Sequence, residues 1–393
     1  MPDSLRIGLI GHGFMGRAHS LAWQAVAPVF DLPLVPEPTA VAGRNPDAVA
    51  DFARTWGWAS HESDWRRLVE RDDIDVVDIT VPGALHAEIA LAALEAGKHV
   101  LCEKPLANTL AEARAMASAA KDASTRGVLS MVGFNYRRTP ALALARDLVE
   151  SGRLGEVRHV RAAYLQDWIS DPEFPLVWRL RKEEAGSGAL GDLGAHLVDL
   201  VYFLTGQRIS GVSALTETFV KERPLPQAAA GLSGVGGTGR GAVTVDDTAI
   251  FIARCEGGAV ATFEATRFAP GRKNAMRIEL NGSKGSLSFD FEALNELHVY
   301  DATADGAHSG FQRILATEPQ HPYLQAWWPP GHSLGYDHTF VNQARDFVMA
   351  IALGTPPRPS FTDGLYVQTV LDGVETSARE GSAWKPLTWE EGI

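Results

Sequence analysis

Apolar residues change their period near residue 135, and the change separates two kinds of structure. Before it, short apolar runs alternate with helical patterns. Leu5 to Ile10 (LRIGLI) reads as a strand, and from Phe14 to Val26 apolar residues fall at helical spacing (Phe14, Ala18, Leu21, Ala22, Ala25). A strand near Thr39 to Ala42 follows, then a helix capped by Asn45 with Pro46 in its first turn, then a strand from Ile74 to Thr80. Pro28 to Pro38 (PVFDLPLVPEP) reads as an inserted loop. Ala84 to Ala96 is a helix stopped by Gly97, and Val100 to Cys102 is a strand. Thr109 and Glu112 make a capping box for a helix reaching Lys121, and Leu129 to Phe134 is a further strand. Strands alternating with helices over about 130 residues require a parallel sheet with helices on both faces.

After a helix opened by Thr139-Pro140 and running to Glu150, the pattern turns to period two. Strands are expected at Val157 to Gln166, Val212 to Phe219, Ala249 to Cys255, Ala259 to Thr266, Arg277 to Asn281 and Ser286 to Phe291. Asn281-Gly282 and Glu256-Gly257-Gly258 are hairpin turns between them, so this half is mostly antiparallel sheet. Between Lys221 and Val243 lie two prolines and, from Gly231 to Gly241, six glycines. That stretch is expected to be a disordered surface loop, with a mobile flap as the alternative. Helices return over Tyr336 to Leu353 and Asp363 to Arg379. The fold class is α/β: a doubly wound parallel sheet over 1–134, then an α+β domain over 135–393 on a large, mostly antiparallel sheet. The C-terminal helix is free to pack back on the first domain.

At 393 residues, with 45% hydrophobic and 21% charged positions, the chain is an ordinary globular one of two or three domains, and disordered, collagenous and coiled-coil classes are excluded. A net charge of −12 repels a phosphate backbone and an anionic membrane, so neither nucleic acid nor membrane is an expected partner. Cys102 and Cys255 are too few for a disulfide framework and are expected as buried small hydrophobes in a reducing compartment. Met1 to Arg6 carries no charged leader region and Leu5 to Ile10 is too short to span a bilayer, so a cytoplasmic location without an anchor is expected.

The candidate chemistry begins with GHGFMG, set between the first strand and its helix. Gly11 permits a tight turn, Gly13 lets backbone N–H groups approach a pyrophosphate, and Gly16 allows close helix packing. NAD-binding proteins usually carry an acidic ribose-binding residue at the end of the second strand, where Gly43-Arg44 stands here. Arg44 could pair with a 2′-phosphate or stack on adenine, so the cofactor is NAD(P), with NAD versus NADP open. Lys104, in Glu103-Lys104-Pro105, falls at the carboxyl edge of the parallel sheet, although a solvated surface lysine would look the same. Asp192 and His196 are four apart before an apolar helix, so they share a face and the carboxylate can orient the imidazole; a structural hydrogen bond would also satisfy them. Trp168, Trp327, Trp328 and Tyr336 could line a sugar site or pack in a core. His321, His332 and His338 lack a carboxylate or Cys at ligand spacing, so no metal is expected, and His12 is expected on the solvent side of its loop.

Five segments in order, GHGFMG, EKP (103–105), GFNYR (133–137), WR (178–179) and GSGALGDLGAHLVD (186–199), resemble the glucose-fructose oxidoreductase and inositol dehydrogenase (Gfo/Idh/MocA) family along nearly the whole chain. The resemblance implies an N-terminal Rossmann domain and a C-terminal domain whose open sheet makes a homodimer or homotetramer. By position, Lys104, Asp192 and His196 match the family's catalytic residues. The resemblance places Gly11, Gly13, Phe14, Met15, Arg44, Pro82, His86, Glu103, Lys104 and Arg179 at the cofactor. It places Lys104, Tyr136, Arg137, Trp168, Asp192, His196 and Tyr336 at the substrate. YLQDW (164–168), GFNYRRTPA (133–141), EATR (264–267) and FTDG (361–364) look most similar to the levoglucosan dehydrogenase-like branch, which oxidises the C3 hydroxyl of an anhydrosugar. Two positions depart from the family: Val81-Pro82-Gly83 replaces TPN while His86 is retained, and Gly43 replaces the acidic residue.

The implied activity is hydride transfer between NAD(P) and a secondary hydroxyl or ketone of a sugar, anhydrosugar, glycoside or cyclitol. His196 would act as base, Asp192 as its orienter, and Lys104 as the charge facing the developing alkoxide. An imine or enone reductase of the same fold and an inactive NAD(P)-sensing protein are the alternatives.

Overall fold

The structure is a computed structural model that describes residues 3–230 and 233–389. Gly231 and Leu232 of the glycine-rich stretch, and Met1 and Pro2 of the start, lie outside the described residues. The chain divides into two compact units. One comprises Met1–Asn135, Glu183–Gly186 and Tyr336–Gln368; the other comprises Tyr136–Lys182, Ser187–Gly335 and Thr369–Ile393.

In the first unit the described residues form a six-stranded parallel sheet: β1 (Asp3–Ile10), β2 (Leu34–Ala42), β3 (Ser60–Glu62), β4 (Val76–Ile79), β5 (His99–Cys102) and β6 (Ser130–Val132). Between them run α1 (Phe14–Val29), α2 (Pro46–Thr55), α3 (Trp65–Val69), α4 (His86–Glu95) and α5 (Leu110–Ser124). Strand order is β3-β2-β1-β4-β5-β6, so it reverses between β1 and β4, and sheets of this kind take ligands beyond the strand ends at that reversal. Local signals set the helix ends. The Asn45 side chain accepts the Ala48 N–H at 3.0 Å, and the Thr109–Glu112 box closes in both directions.

The proline-rich stretch is shorter as a loop than its composition suggests, because β2 already begins at Leu34 and runs through Pro36 and Pro38. The reason is an open edge. β3 pairs only with Ala40, Val41 and Ala42, while β1 pairs with β2 from Leu34 to Ala42 except at Thr39, where the register shifts. Prolines two apart turn their missing N–H to the same side, which is tolerated where no neighbouring strand needs a donor.

The second unit opens with α6 (Pro140–Glu150) and β7 (Val157–Leu165), followed by the single-turn α7 (Lys182–Ala185, which crosses the unit boundary) and α8 (Ala195–Thr205). Strands follow: β8 (Ile209–Glu217), β9 (Glu222–Ala230), β10 (Ser233–Ala242), β11 (Thr248–Cys255), β12 (Val260–Thr266), β13 (Ala275–Gly282), β14 (Gly285–Asp290), β15 (Glu296–Asp301), β16 (Gln312–Leu315) and β17 (Lys385–Pro386). Among the described residues nine of them form one sheet, β16-β15-β14-β13-β7-β12-β11-β8-β17, antiparallel except for the β7–β12 pair. Alternation divides its faces. Ala249, Phe251, Ala253 and Cys255 of β11 are buried, and Phe251 stacks on Phe263 of β12 at 4.4 Å. Ile250 and Ile252 point the other way and are exposed, as are Leu215 and Val260.

Over its described residues the glycine-rich stretch is not a loop: β9 and β10 pair antiparallel, with two register shifts. Composition missed its anchor. Arg223 of β9 is fully buried and donates to the carbonyls of Ile169 (2.6 Å) and Asp171 (2.7 Å). Just beyond β10, Val243 and Val245 join Ile169, Leu176, Val177 and Leu180 in a small core. One buried guanidinium and two valines thus hold strands that glycine alone would leave loose.

After β16 the chain enters α9 (Tyr336–Leu353), which packs along α1, and then α10 (Phe361–Arg379). No helix among the described residues is long and apolar enough to cross a membrane.

Candidate active site

In the first unit the three glycines are there for different reasons. Gly11 has φ +108°, and a Cβ on it would meet Thr80 atoms at 2.8 to 2.9 Å. A Cβ on Gly16 would lie 2.3 Å from the Gly11 carbonyl oxygen. Around Gly13 there is nothing within 4 Å. So Gly11 and Gly16 close the turn, while Gly13 leaves open space at the start of α1, where it is the cap residue and adds no capping side chain. Unused N–H groups of the first turn and the helix dipole suit an anion there, such as one oxygen of a dinucleotide pyrophosphate. Phe14 and Met15 begin the helix, with Phe14 exposed, and Pro82 is partly exposed on the turn after β4.

His12 is half-buried rather than turned to solvent, with its ring edge-on to Phe52 at 5.9 Å. A Cβ at residue 43 would come within 2.2 Å of that ring, so with the imidazole in this place position 43 has room only for glycine. The missing acidic residue therefore has a steric cause beside the exposed Arg44. Burial, reinforced by the Arg44 charge, pushes the His12 pKa down.

Lys104 follows β5 at the sheet's carboxyl edge and is partly exposed. Glu103 and His86, expected at the cofactor, are buried and engage the protein. Each ring nitrogen of His86 lies within hydrogen-bond distance of a backbone carbonyl, Pro105 at 3.0 Å and Val81 at 2.9 Å. Burial lowers its pKa. Glu103 accepts from the Lys104 N–H at 3.3 Å, and its Oε1 lies 3.0 Å from His19 Nε2. His19 and its other partner, Asp78, escaped the motif reading. Their signals are plain in retrospect: a histidine on the buried face of α1 and an aspartate inside the apolar strand VVDI.

In the second unit the run from Gly186 becomes a π-helical turn, Leu190–Gly194, leading into α8. Its start is held by the Asp246 carboxylate, which accepts the N–H groups of Gly188 (2.6 Å) and Leu190 (2.8 Å). Gly188 is required because a Cβ would sit 1.7 Å from the Asp246 carbonyl oxygen. Asp192 projects from this turn with one oxygen 3.8 Å from the guanidinium of Arg267, a residue 1% exposed. Arg267 also donates to the Asp246 carbonyl at 3.2 Å and lies over the Trp168 ring at 5.4 Å. Arg179, half-buried, has its pKa lowered by burial, with Asp192 acting in the opposite sense. The Trp168 Nε1–H and the Arg267 Nε–H are buried donors without a protein acceptor.

His196, at the start of α8, is buried with its ring stacked on Tyr136 at 4.3 Å and 17°. A hydroxyl chain fixes that Tyr136 ring: Tyr136 to Tyr164 at 2.6 Å, then Tyr164 donating to Asn274 Oδ1 at 2.7 Å. Tyr136, expected at the substrate, is thus a buried wall behind His196. Arg137, expected there too, forms a buried two-pronged pair with Asp199 at 2.8 and 2.6 Å. Tyr336 is partly exposed at the start of α9 in the first unit. Trp327 and Trp328 lie 6.1 Å apart in the second unit, Trp328 largely exposed. Among the described residues, no group of three or more His, Cys, Asp or Glu side chains could hold a metal ion.

Comparison with known proteins adds to this geometry. Residues 5–134 match the model of an oxidoreductase family with an NAD-binding Rossmann fold, and residues 142–288 match the GFO/IDH/MocA C-terminal domain. The chain is 46% identical over 384 residues to a levoglucosan dehydrogenase of Pseudarthrobacter phenanthrenivorans, covering 96% of this chain and 97% of that one. It is 26% identical to an inositol 2-dehydrogenase of Rhizobium meliloti, covering 96% and 98%. Among solved structures, an oxidoreductase domain protein from Kribbella flavida matches with TM-score 0.94 at 61% identity, covering 98% of this chain and all (100%) of that one. A levoglucosan dehydrogenase solved with NADH and levoglucosan matches with TM-score 0.92 at 43% identity, with coverages of 98% and 100%.

Proposed function

Because the chain belongs to the Gfo/Idh/MocA family of NAD-binding oxidoreductases, we propose that this NAD(P)-dependent sugar dehydrogenase oxidises a secondary hydroxyl of an anhydrosugar of the levoglucosan type, at C3, to the ketone. The observation that carries the choice of substrate is the likeness to a levoglucosan dehydrogenase at 46% identity, which extends over 96% of the chain.

A bound nicotinamide would supply the hydride acceptor for the carbinol carbon. The protein's share is proton handling and placement. In this reading His196 takes the hydroxyl proton, Asp192 orients and charge-balances the imidazole, and the Lys104 ammonium faces the oxygen as it becomes an alkoxide. The Arg267 guanidinium, 3.8 Å from one Asp192 oxygen, offsets the charge of that carboxylate. A substrate oxygen at Trp168 would supply the acceptor its buried Nε1–H lacks. Gly13 and the first turn of α1 would hold the pyrophosphate, with Arg44 near the adenosine end. The exposed apolar positions Leu215, Ile250, Ile252 and Val260 support self-association through the open face of the large sheet.

The test is appearance of reduced-nicotinamide absorbance when NAD or NADP is offered with levoglucosan, glucose or myo-inositol. Levoglucosan should be turned over with kcat/KM at least about tenfold above the other two, as one well-placed hydrogen bond can provide, and the product should be the 3-ketone. A preference for inositol would move the substrate to cyclitols. No cofactor reduction with any cyclic polyol would sink the reading and favour imine reduction or sensing.

A further inference from the structure

We propose that His19 is a positioning residue for Lys104: held as an imidazolium between Asp78 and Glu103, it locks the Glu103 carboxylate that accepts the Lys104 backbone N–H. The inference rests on the role given to Lys104 above, and it concerns residues of the first unit alone.

The geometry is a buried chain of charges. His19 Nδ1 lies 3.0 and 2.9 Å from the two oxygens of Asp78, and its Nε2 lies 3.0 Å from Glu103 Oε1. His19 is 2% exposed, Asp78 0% and Glu103 5%. Both ring nitrogens therefore face carboxylate oxygens. A neutral imidazole has one N–H and would turn its remaining lone pair against a carboxylate in a dry interior; the imidazolium donates to both. The rival arrangement, a protonated Glu103 donating to a neutral ring, would remove the charge that pins Glu103. The other neighbours take the side of the cation. The Trp23 indole N–H donates to Asp78 at 2.7 Å, so both carboxylates keep a donor besides the imidazole. The Cys102 thiol is held neutral by burial and by the charges of Glu103 and Asp78. Phe340 of α9 covers the ring at 5.4 Å. Burial would by itself lower the His19 pKa, but the Asp78 charge, with the hydrogen bonds that His19 donates to Asp78 and Glu103 and the Glu103 charge, carries it to about 10.

From Glu103 the restraint passes to Lys104. Glu103 Oε2 accepts the Lys104 N–H at 3.3 Å. On its other side Glu103 abuts Gly133, where a Cβ would come within 2.6 Å of Oε1, so the glycine of GFNYR keeps that space for the carboxylate. Lys104 thus hangs by its backbone from a side chain that has one place and one charge, while its own side chain stays partly exposed. Misplacing a catalytic group by about 1 Å can cost on the order of 100-fold in rate.

The test uses the full-length protein with His19→Gln, which keeps an amide donor and removes the charge. kcat for the sugar should fall about 10- to 100-fold, with dinucleotide affinity changed less than about threefold. The double variant His19→Gln with Glu103→Gln should fall no further than His19→Gln alone, because both act through one path. Two readouts need no turnover. Nitrogen-15 spectra should show both His19 ring nitrogens protonated at pH 8, and the labelling rate of Lys104 by reductive methylation, read by mass spectrometry, should change in His19→Gln. A neutral His19 ring at pH 7, or a folded His19→Gln that keeps wild-type kcat and Lys104 labelling, overturns the proposal. Should His19→Gln not fold, Gly133→Ala displaces Glu103 while leaving the charges intact, and unchanged Lys104 labelling there overturns it equally. If the wild type oxidises no sugar, the catalytic role of Lys104 falls, whereas the spectra and the labelling still decide the clamp.

Discussion

His19 in the first unit and His196 in the second are both buried imidazoles on helices, and their surroundings are opposite in kind. His19 sits between two carboxylates that suit a single protonation state. His196 lies flat on the Tyr136 ring, with Tyr164 behind it at 6.0 Å, and an aromatic face accepts either a neutral or a charged imidazole. A base that must take up and release a proton in every turnover needs the second environment, while a fixed support benefits from the first. In the roles proposed for them, the contrast separates a group that works by cycling from one that works by never changing.

The comparison breaks most visibly if His196 does not cycle. His196→Ala and Lys104→Ala should each lower kcat for sugar oxidation by roughly 10²- to 10⁴-fold, with dinucleotide affinity measured by fluorescence nearly intact, and the two losses should not add. In wild type the rate should rise with pH as one group deprotonates, and the His196 variant should lose that limb. Near wild-type turnover in both variants would remove the catalytic assignment.

A smaller effect tests the fixed charge. The folded pKa of His19 is raised to about 10, above its unfolded value, so its contribution is complete below about pH 6.5 and is lost as pH rises toward 10. Urea unfolding between those limits should show wild-type stability falling with a slope approaching about 1.4 kcal/mol per pH unit from this one proton. His19→Gln should lack that component. Equal slopes for the two proteins would mean that His19 is neutral in the fold.

The smallest change sharpens the other side. Tyr164→Phe removes the hydroxyl that fixes Tyr136, and should cost about 0.5 to 1.5 kcal/mol of stability and less than tenfold in kcat. A larger loss of rate than of stability would give the tyrosine pair a direct part in proton handling.

What could be read from the sequence followed the range of the interactions. Asn45, the Thr109–Glu112 box and the turn at Gly11 act over a few residues, so their spacing predicts them, and period-two alternation exposes both faces of β11. Pro36 and Pro38 misled because composition does not say that β2 has an open edge. The pairing of β9 with β10 was hidden because its anchor, Arg223, looks like any charged residue until its acceptors around residue 170 are folded beside it. At the candidate site, spacing could give roles to Asp192 and His196, whereas Tyr164 and Arg267 stood inside quoted segments without a role and His19 stood in none, because their partners lie 110, 75 and 84 residues away in the examples of Asn274, Asp192 and Glu103. Arg137 shows the converse: it stands inside a recognisable motif, yet its guanidinium serves Asp199.

The imidazole lying over Gly43 makes positions 12 and 43 a single evolutionary character. A carboxylate at 43 can arrive only with displacement of the His12 ring from its place beside Phe52. The order of substitutions therefore matters: shrinking residue 12 first opens a path, whereas acidifying 43 first meets a barrier. A change of adenosine preference that puts a carboxylate at residue 43, by descent or by engineering, must pass through the glycine turn before it reaches the second strand.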